Sequence, residues 1–520
     1  MDGVYLGIDL GTGGARAGLF DDHGVALAFS AQSVESFYPR PGWVEQDPDE
    51  WWRAIVGAVR GVIAEAGVRP QDVAGIGYDT TSATPVPLDA HHRPLRRAIL
   101  WADVRSAPIA ARASEIDHWA RLYNGGGKDD ASAEWFPFKA IWLKEHQPEI
   151  WEQTALLLDA PDWMGFQLTG EVAYNTCSAS IKCYYNSDHG GWPEDFFAKL
   201  GGEDLLSKVP STVQPMGSLL GVLSTTAAEE LGLIAGIPVG QGGIDAEAGM
   251  VGMNVLTPGD MALITGSSNC LLAQSATALH GPGMFGGHKD AVVPGQYTLE
   301  ASQGSAGSVM QWFLRTSAVD LMEQEAGGGP AAFEVLNELS RDIPPGSDGV
   351  VVTEYFQGNR SPYTDNRARG TITGLSLHHR REHIYHAIQE ANCYGVEHNL
   401  RTMKSLGYNP RSLTVCGGAT KSPAWLQMHA DILGMDVNVT KVQDGPALGS
   451  AILGAVAAGR YATLQEAAQA MVHEHYTLSP DQEKHEEYKF WVDRYTEIHP
   501  AMRDIQHSIA DHMDDLEDEK

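Results

Sequence analysis

Two glycine-rich turns, each set between apolar strands, constrain this chain more than any other feature. They are YLGIDLGTGGARAGLFD (Tyr5 to Asp21) and MALITGSSNCLLAQ (Met261 to Gln274). In each, a strand runs into Gly, Thr or Ser and a second strand leaves, so turn N–H groups and hydroxyls converge on an anion without side chains in the way. Gly11, Gly13 and Gly14 permit close backbone approach, Thr12 offers a hydroxyl, and Arg16 can neutralise charge on a transferring phosphoryl group. Asp9, at the end of the first strand, suits a hydrated Mg²⁺ that bridges phosphates. Between the turns stands Asp245, in GQGGIDAEAGMVG. This layout predicts ATP held between two halves of the chain. GTGGAR is no dinucleotide fingerprint, because it lacks the third glycine of GxGxxG and leads into a strand, and no GxxxxGK[ST] occurs.

At 520 residues the chain exceeds the size at which one core keeps growing, so at least two domains are expected. Its 67 acidic against 36 basic residues set a formal charge of −31, a field that repels polyanions and anionic bilayers and argues against nucleic acid as a partner. Five cysteines, odd in number and without CxxC spacing, indicate neither a disulfide framework nor a zinc site and suit a reducing compartment. The start of the chain enters the first strand at once, leaving no room for a cleavable leader, and no run of about 18 apolar residues occurs. A cytoplasmic location without membrane contact is expected.

Strand and helix patterns alternate, as an α/β protein requires. Gly3 to Phe29 reads as a strand meander, Pro48 to Gly67 as an amphipathic helix, and Val73 to Asp89 as a buried strand opening into a polar loop and a further strand. A strand is expected to end at Asp245. The theme then recurs: turn at 261–274, strand and loop at Tyr297 to Gly307, a helix from Glu382 to Ser405, and SLTVCGGATKSPAWLQMHADILG from Ser412 to Gly434. A duplicated core explains this recurrence. The expected domains are 1–248, 249–480 and a C-terminal segment, 481–520. In that segment Tyr488, Trp491, Tyr495 and Ile498, then Ile505, Ile509 and Met513, have helical spacing, and Pro500 is expected to separate two helices. His379, His383 and His386 fall at i, i+4 and i+7 on one predicted helix face, but a zinc site there would need a fourth ligand and supporting partners that the sequence does not show.

With these pieces in order, the chain resembles the FGGY carbohydrate kinases, part of the wider group that shares its ATPase fold with hexokinase, actin and heat-shock chaperones. The resemblance runs from Tyr5 to about Ala458. It rests on Asp9, Gly11, Thr12 and Arg16 matching D-x-G-T with a downstream basic residue; on GTITGLSLHHRREHIYHAIQEA (Gly370 to Ala391); on YFQGNRSP (Tyr355 to Pro362); and on VCGGATKSPAWLQMHADILG followed by PALGSAI (Pro446 to Ile452). Gly14 replaces a small hydroxyl residue common in the family, and Gln389 replaces an apolar one. The fold implied is two duplicated actin/hexokinase-like (ribonuclease H-like) domains flanking an ATP cleft. Asp245 is implied as the general base that takes the proton of the sugar hydroxyl, and as a second carboxylate, with Asp9, for the metal. Thr12, Gly266, Ser267 and Ser268 are implied as phosphate contacts, with Gly417, Gly418, Ala419 and Ser422 on the nucleotide side.

Sugar specificity is expected around Asp79, Thr81 and Ser82, where YDTTSAT resembles ribulose kinases and departs from the GQMHG-like run of xylulose kinases. NGGGKDDASAEWFPFK (Asn124 to Lys139) resembles the same subgroup and offers Lys128 to sugar hydroxyls. Glu300 and Gln303 match its E-x-x-Q spacing, implying Glu300 toward the sugar and Gln303 at the nucleotide. Trp43 is a candidate to stack on sugar C–H groups. The activity implied is phosphorylation of the terminal hydroxyl of a ketopentose, foremost ribulose, to the 5-phosphate, with xylulose, L-ribulose or erythritol-type polyols as alternatives. The partners implied are a sugar and ATP, and the resemblance admits a homodimer. A reading of another class is an actin- or chaperone-like nucleotide switch, for which no polymer contact or attached substrate-binding module is evident.

Overall fold

A computed structural model describes residues 3–125, 132–281 and 283–518. The first sheet is built from β1 (Val4–Gly11), β2 (Gly14–Phe20), β3 (Ala26–Ser33), β4 (Val73–Thr80), β5 (Leu219–Val222), β6 (Pro238–Gly240) and β7 (Gly243–Ile244), in the order β5-β6-β4-β1-β2-β3 with β7 beside β4. The second contains β8 (Asp260–Thr265), β9 (Asn269–Ser275), β10 (Met284–Lys289), β11 (Tyr297–Gln303), β12 (Ser412–Gly417), β13 (Val437–Thr440) and β14 (Glu474–Leu478), in the order β14-β13-β12-β8-β9-β11-β10. A two-residue strand at 124–125 crosses from the first half to pair with β10. Each sheet has the same kernel. β6-β4-β1-β2-β3 and β13-β12-β8-β9-β11 both read parallel, parallel, antiparallel, antiparallel. The expected duplication is therefore explicit in the strand pairing.

Local signals set the helices around these sheets. The helix at Pro48–Ala66 starts where the Asp47 carboxylate accepts from Asp49 N–H and Pro48 supplies its first turn, and it stops at Gly67 with φ of 62°. Trp51, Ile55, Ala58, Val59 and Val62 lie on its buried face. At the seam between the sheets lie α1 (Asp245–Gly252) and α2 (Gly445–Ala457), packed on each other, with α2 also against β1 and β4 although it comes late in the sequence. Glycine makes this approach possible: a Cβ at Gly77 would stand 1.9 Å from the Ser450 carbonyl oxygen, and one at Gly252 1.9 Å from that of Gly445. α2 thereby carries Asp444 and Ser450 into the first half of the molecule.

Three expectations change. Asp245 heads α1 and follows directly on β7, so it opens a helix where a strand end was expected. Pro500 does not separate two helices, because one helix, α3 (Gln482–Asp518), runs through it. Proline leaves the carbonyl four residues back without its helical donor, and here Tyr363 Oη–H donates to Thr496 O at 3.1 Å instead. On α3, Tyr488 and Tyr495 are buried as the spacing requires, whereas Ile505, Ile509 and Met513 are exposed while Gln506 and His507 between them bond to Arg369 and Asp365. Finally, the helix expected from Glu382 begins at Arg381, which leaves His379 in the preceding turn and breaks up the three-histidine face.

Candidate active site

The carboxyl ends of β1, β4 and β7 lie side by side, the edge at which open α/β sheets bind ligands. Register places Asp9 opposite Asp79 and Asp79 opposite Gly243, so Asp245 emerges next to both. Asp79 is fully buried and accepts a 2.6 Å hydrogen bond from Ser450 Oγ. One oxygen each of Asp9 and Asp79, both Oδ1, is buried without a hydrogen-bond partner. Burial is the main force raising these acids: it takes Asp9 to about 6, where Asp79 beside it lowers the value and the charge of Asp444 raises it, and takes Asp79 well above the ordinary carboxylate value, with the charge of Asp9 adding to it. Asp245 is held up at about 7 by burial and then by the charge of Asp9. Arg16 faces Asp9 at 3.7 Å and donates to Asp444, the N-cap of α2, at 2.6 Å.

A cavity of about 250 Å³ opens on this edge, lined by Thr12, Thr81, Ser82, Trp101, Glu134, Lys182, Asp245, Glu247, Ser268, Glu300 and Arg360 among others. Thr12 and Ser268, one from each glycine-rich turn, share it, so the two turns face a common space. Its far wall is ionic. Lys182, on the helix Thr176–Cys183, stands 3.5 Å from Glu300 of β11, and Arg360 pairs with Glu134 at 2.6 Å. Burial alone would raise the Glu300 carboxyl, but Lys182 and Arg360 carry it below the usual range; Glu247, pushed up to about 8 by burial and by Glu300, is the neutral partner in this group near pH 7. The loop after β4 is fixed from behind. Asp159 accepts from Ser82 Oγ at 2.7 Å and from Ala83 and Thr84 N–H, while the buried Lys139 ammonium donates to the carbonyls of Ala83, Leu100 and Trp101. Trp101 Nε1–H in turn donates to Thr12 Oγ1 at 2.9 Å, and Gln46 holds the Thr12 carbonyl at 2.8 Å.

A second cavity, about 450 Å³, lies on the other sheet and is lined by Thr265, Gly266, Gly307, Tyr385, Gln389, Gly418, Ala419, Ser422 and Trp425, among others. Gly417 turns the chain here with φ of 87°, and a Cβ on it would meet the Thr265 carbonyl oxygen at 2.0 Å. Ala419 N–H donates to Thr265 Oγ1, and Ser422 caps the helix Pro423–Leu433 by accepting from Trp425 N–H. Glycines and apolar or amide side chains make up most of its lining, with Glu334 and Lys421 the charged members, a surface suited to a flat heterocycle and its sugar.

The structure gathers Thr12, Thr81, Ser82, Asp245, Ser268 and Glu300 around the first cavity and Gly266, Gly418, Ala419 and Ser422 around the second. Gly11, Gly13, Ser267 and Gly417 belong to the turns beside them, and Asp9 and Arg16 lie beneath the first. Asp79 does not line the first cavity, because its carboxylate is turned to Ser450 and Asp9. Gln303 does not line the second cavity. It is buried, donating to Glu354 at 2.7 Å and to the Asn392 carbonyl and accepting from Asn269 Nδ2. Trp43 packs edge-on against Trp142, with the Arg105 guanidinium 3.8 Å above its ring, and lines neither cavity. Lys128 lies outside the described residues. Sequence reasoning quoted the segments of Glu134, Glu247 and Arg360 without singling them out, and missed Lys182, Trp101 and Asp444. Only Asp444, before Gly445 and Pro446, carried a local signal, that of a helix N-cap.

Comparison with known proteins agrees with this geometry. Residues 4–252 match the N-terminal domain of the FGGY family of carbohydrate kinases, and residues 261–458 match its C-terminal domain. The chain is 31% identical to an FGGY carbohydrate kinase domain-containing protein of Xenopus laevis, over 94% of each, and 30% identical to a ribulokinase of Geobacillus thermodenitrificans, over 95% of this chain and 93% of the other. It superposes on the crystal structure of xylulose kinase from Rhodospirillum rubrum with a TM-score of 0.85 at 27% identity, covering 97% of this chain and all of that one. Two matched sheets, a carboxylate at their seam and this likeness along the whole length lead to one assignment: the chain belongs to the FGGY family of carbohydrate kinases, phosphotransferases with an alcohol group as acceptor.

Proposed function

We propose that this kinase transfers the γ-phosphoryl group of ATP to the terminal hydroxyl of a ketopentose, with ribulose as its sugar and the 5-phosphate as product. The observation that carries the reading is the position of Asp245 on the wall of a small polar cavity that also holds Thr12, Ser268 and the Lys182–Glu300 pair. A cavity of about 250 Å³ with ionic walls fits a small polyhydroxylated molecule. Glu300 accepts from sugar hydroxyls, Lys182 donates to a carbonyl or hydroxyl oxygen, and the fixed Thr81–Ser82 loop limits how the chain of carbons can lie. The ribulokinase-like YDTTSAT and Glu300 spacing favours ribulose, as does the likeness to a named ribulokinase.

Asp245 takes the proton of the attacking hydroxyl as that oxygen approaches phosphorus. Because Trp101 N–H donates to Thr12 Oγ1, the Thr12 hydroxyl proton is left to point into the cleft toward a phosphate oxygen, and Ser268 approaches from the opposite lobe. The buried Oδ1 atoms of Asp9 and Asp79 have no hydrogen-bond partner, and carboxylate oxygens left so are a donor set that fits Mg²⁺. Asp9 and Asp245 would hold the ion, and its contribution when bound is to neutralise charge on the triphosphate. The adenosine side falls to Gly418, Ala419 and Ser422. Closure of the lobes around both substrates expels water that would otherwise receive the phosphoryl group.

The test is ADP release with D-ribulose, L-ribulose, D-xylulose and erythritol compared at equal concentration. The highest kcat/KM with a ribulose supports the reading. A preference for xylulose or a polyol removes ribulose, and a slow rate indifferent to any sugar removes phosphorylation of sugars as the activity.

A further inference from the structure

On the far side of the nucleotide-side lobe, His378, His383 and Asp348 bring one ligand atom each within 4.8 Å of one another. His383 Nε2 is 3.4 Å and His378 Nε2 3.9 Å from the same carboxylate oxygen, Asp348 Oδ2. Ligand atoms about 2.0–2.1 Å from a tetrahedral zinc stand roughly 3.3 Å from each other, so the His383–Asp348 spacing matches one edge of such a polyhedron and His378 stands somewhat outside a second. We propose that these three residues form a binding site for a divalent transition ion of the zinc class, completed by water.

The surroundings are built to hold that geometry. Asp348 sits in the left-handed region, φ of 54°, in the turn Ser347–Gly349, which aims its carboxylate back at the start of the helix Arg381–Ser405. The turn is bolted to this helix on both sides. His379 Nε2 contacts the Asp348 carbonyl at 3.1 Å, and Ser347 Oγ donates to Glu390 at 2.7 Å and contacts His386 Nδ1 at 2.9 Å. His379 and His386 are thus committed to the frame, and His378 and His383 remain for the ion. His383 is buried, with Nδ1 accepting from Arg380 N–H at 3.2 Å and Nε2 turned to Asp348. Ligation puts the ion on Nε2 and the ring proton on Nδ1, and the Arg380 N–H, on an exposed residue, turns to water. His378 is largely exposed, so its ring closes the remaining distance at little cost. The positive end of the helix works against a cation, and the Asp348 carboxylate together with the strongly negative whole molecule offsets this. Two imidazoles and one carboxylate select zinc, cobalt, nickel or copper over magnesium or calcium, which prefer all-oxygen sites. This ion is therefore distinct in chemistry from the one that the Asp9 pocket suits. The helix it pins contributes Tyr385 and Gln389 to the nucleotide-side cavity.

The test uses full-length protein stripped with chelator and kept free of nucleotide. Cobalt(II) is titrated and its visible ligand-field spectrum recorded, and the thermal midpoint is measured with and without Zn²⁺. Wild type is expected to take up one equivalent with a low-symmetry cobalt spectrum and a Zn²⁺-dependent rise in midpoint. His378→Ala, at an exposed position, and Asp348→Asn, which tolerates the same left-handed backbone, are expected to fold normally and to weaken binding at least about tenfold. Uptake and spectrum unchanged in both variants, or no uptake by wild type, would overturn the site.

Discussion

At the scale of single residues, the chemistry turns on how Asp245 is charged. Burial and the neighbouring Asp9 hold it at about 7, so the base proposed here is ionised mainly above that pH, and kcat/KM for the sugar is expected to rise through pH 7 and level off beyond it. The same shift has a stability consequence of defined sign. A carboxyl raised in the folded state contributes stability that is present below its unfolded value near 4 and is lost as pH rises through about 7. Asp245→Asn is therefore expected to melt above wild type at pH 8, with the gap narrowing as pH falls below 7 and closing only near pH 4; a constant gap across this range would contradict the shift. Lys182→Met should leave Glu300, proposed to face the sugar, without its directly paired cation and with only Arg360 still acting on it, costing about 2–5 kcal/mol in kcat/KM, and a double variant with Glu300→Gln should recover part of that loss. Asp245, Thr12 and Glu300 were legible in the sequence because each lies in a short pattern whose residue types state their chemistry. Lys182 and Arg360 were not, since their partners Glu300 and Glu134 are more than a hundred residues away and meet them only in the fold.

At the scale of elements, the helix Gly445–Ala457 ties the halves together by lying on bare backbone. Gly77→Ala would force a methyl into the Ser450 carbonyl, and backbone cannot yield as a flexible side chain does. A loss of about 1–3 kcal/mol is expected in chemical unfolding, and because Ser450 holds Asp79, activity should fall with it. The C-terminal helix shows the converse, where tertiary contact rescues a local fault. Tyr363→Phe removes the donor that satisfies the carbonyl freed by Pro500 and should cost about 1 kcal/mol. That rescue explains why a proline expected to end a helix sits inside one: the donor comes from a residue more than a hundred positions away, invisible to any local pattern. Strand pairs flanking the glycine turns were legible because alternation and turn chemistry are local. Asp245 heading a helix was not, since Gly and Ala around it carry no cap signal.

At the scale of the whole molecule, two copies of one strand kernel face each other, and recurrence of the glycine turns predicted that arrangement before any coordinate. What recurrence did not reveal is the crossing of halves: a late helix serves the early sheet, and a two-residue strand from the early half joins the later sheet. Such exchanges tie the two cavities together, and with sugar and nucleotide in them as proposed, ATP should be consumed only when both are filled. The most direct measurement is ADP release by wild type and Asp245→Asn, each with and without the preferred pentulose, alongside calorimetric binding of sugar and nucleotide. Wild-type release is predicted to depend on sugar, and the variant to bind both ligands while turning over about 10²–10⁴-fold more slowly. Near-normal, sugar-dependent turnover by the variant would contradict the assignment of Asp245 as the base at the seam.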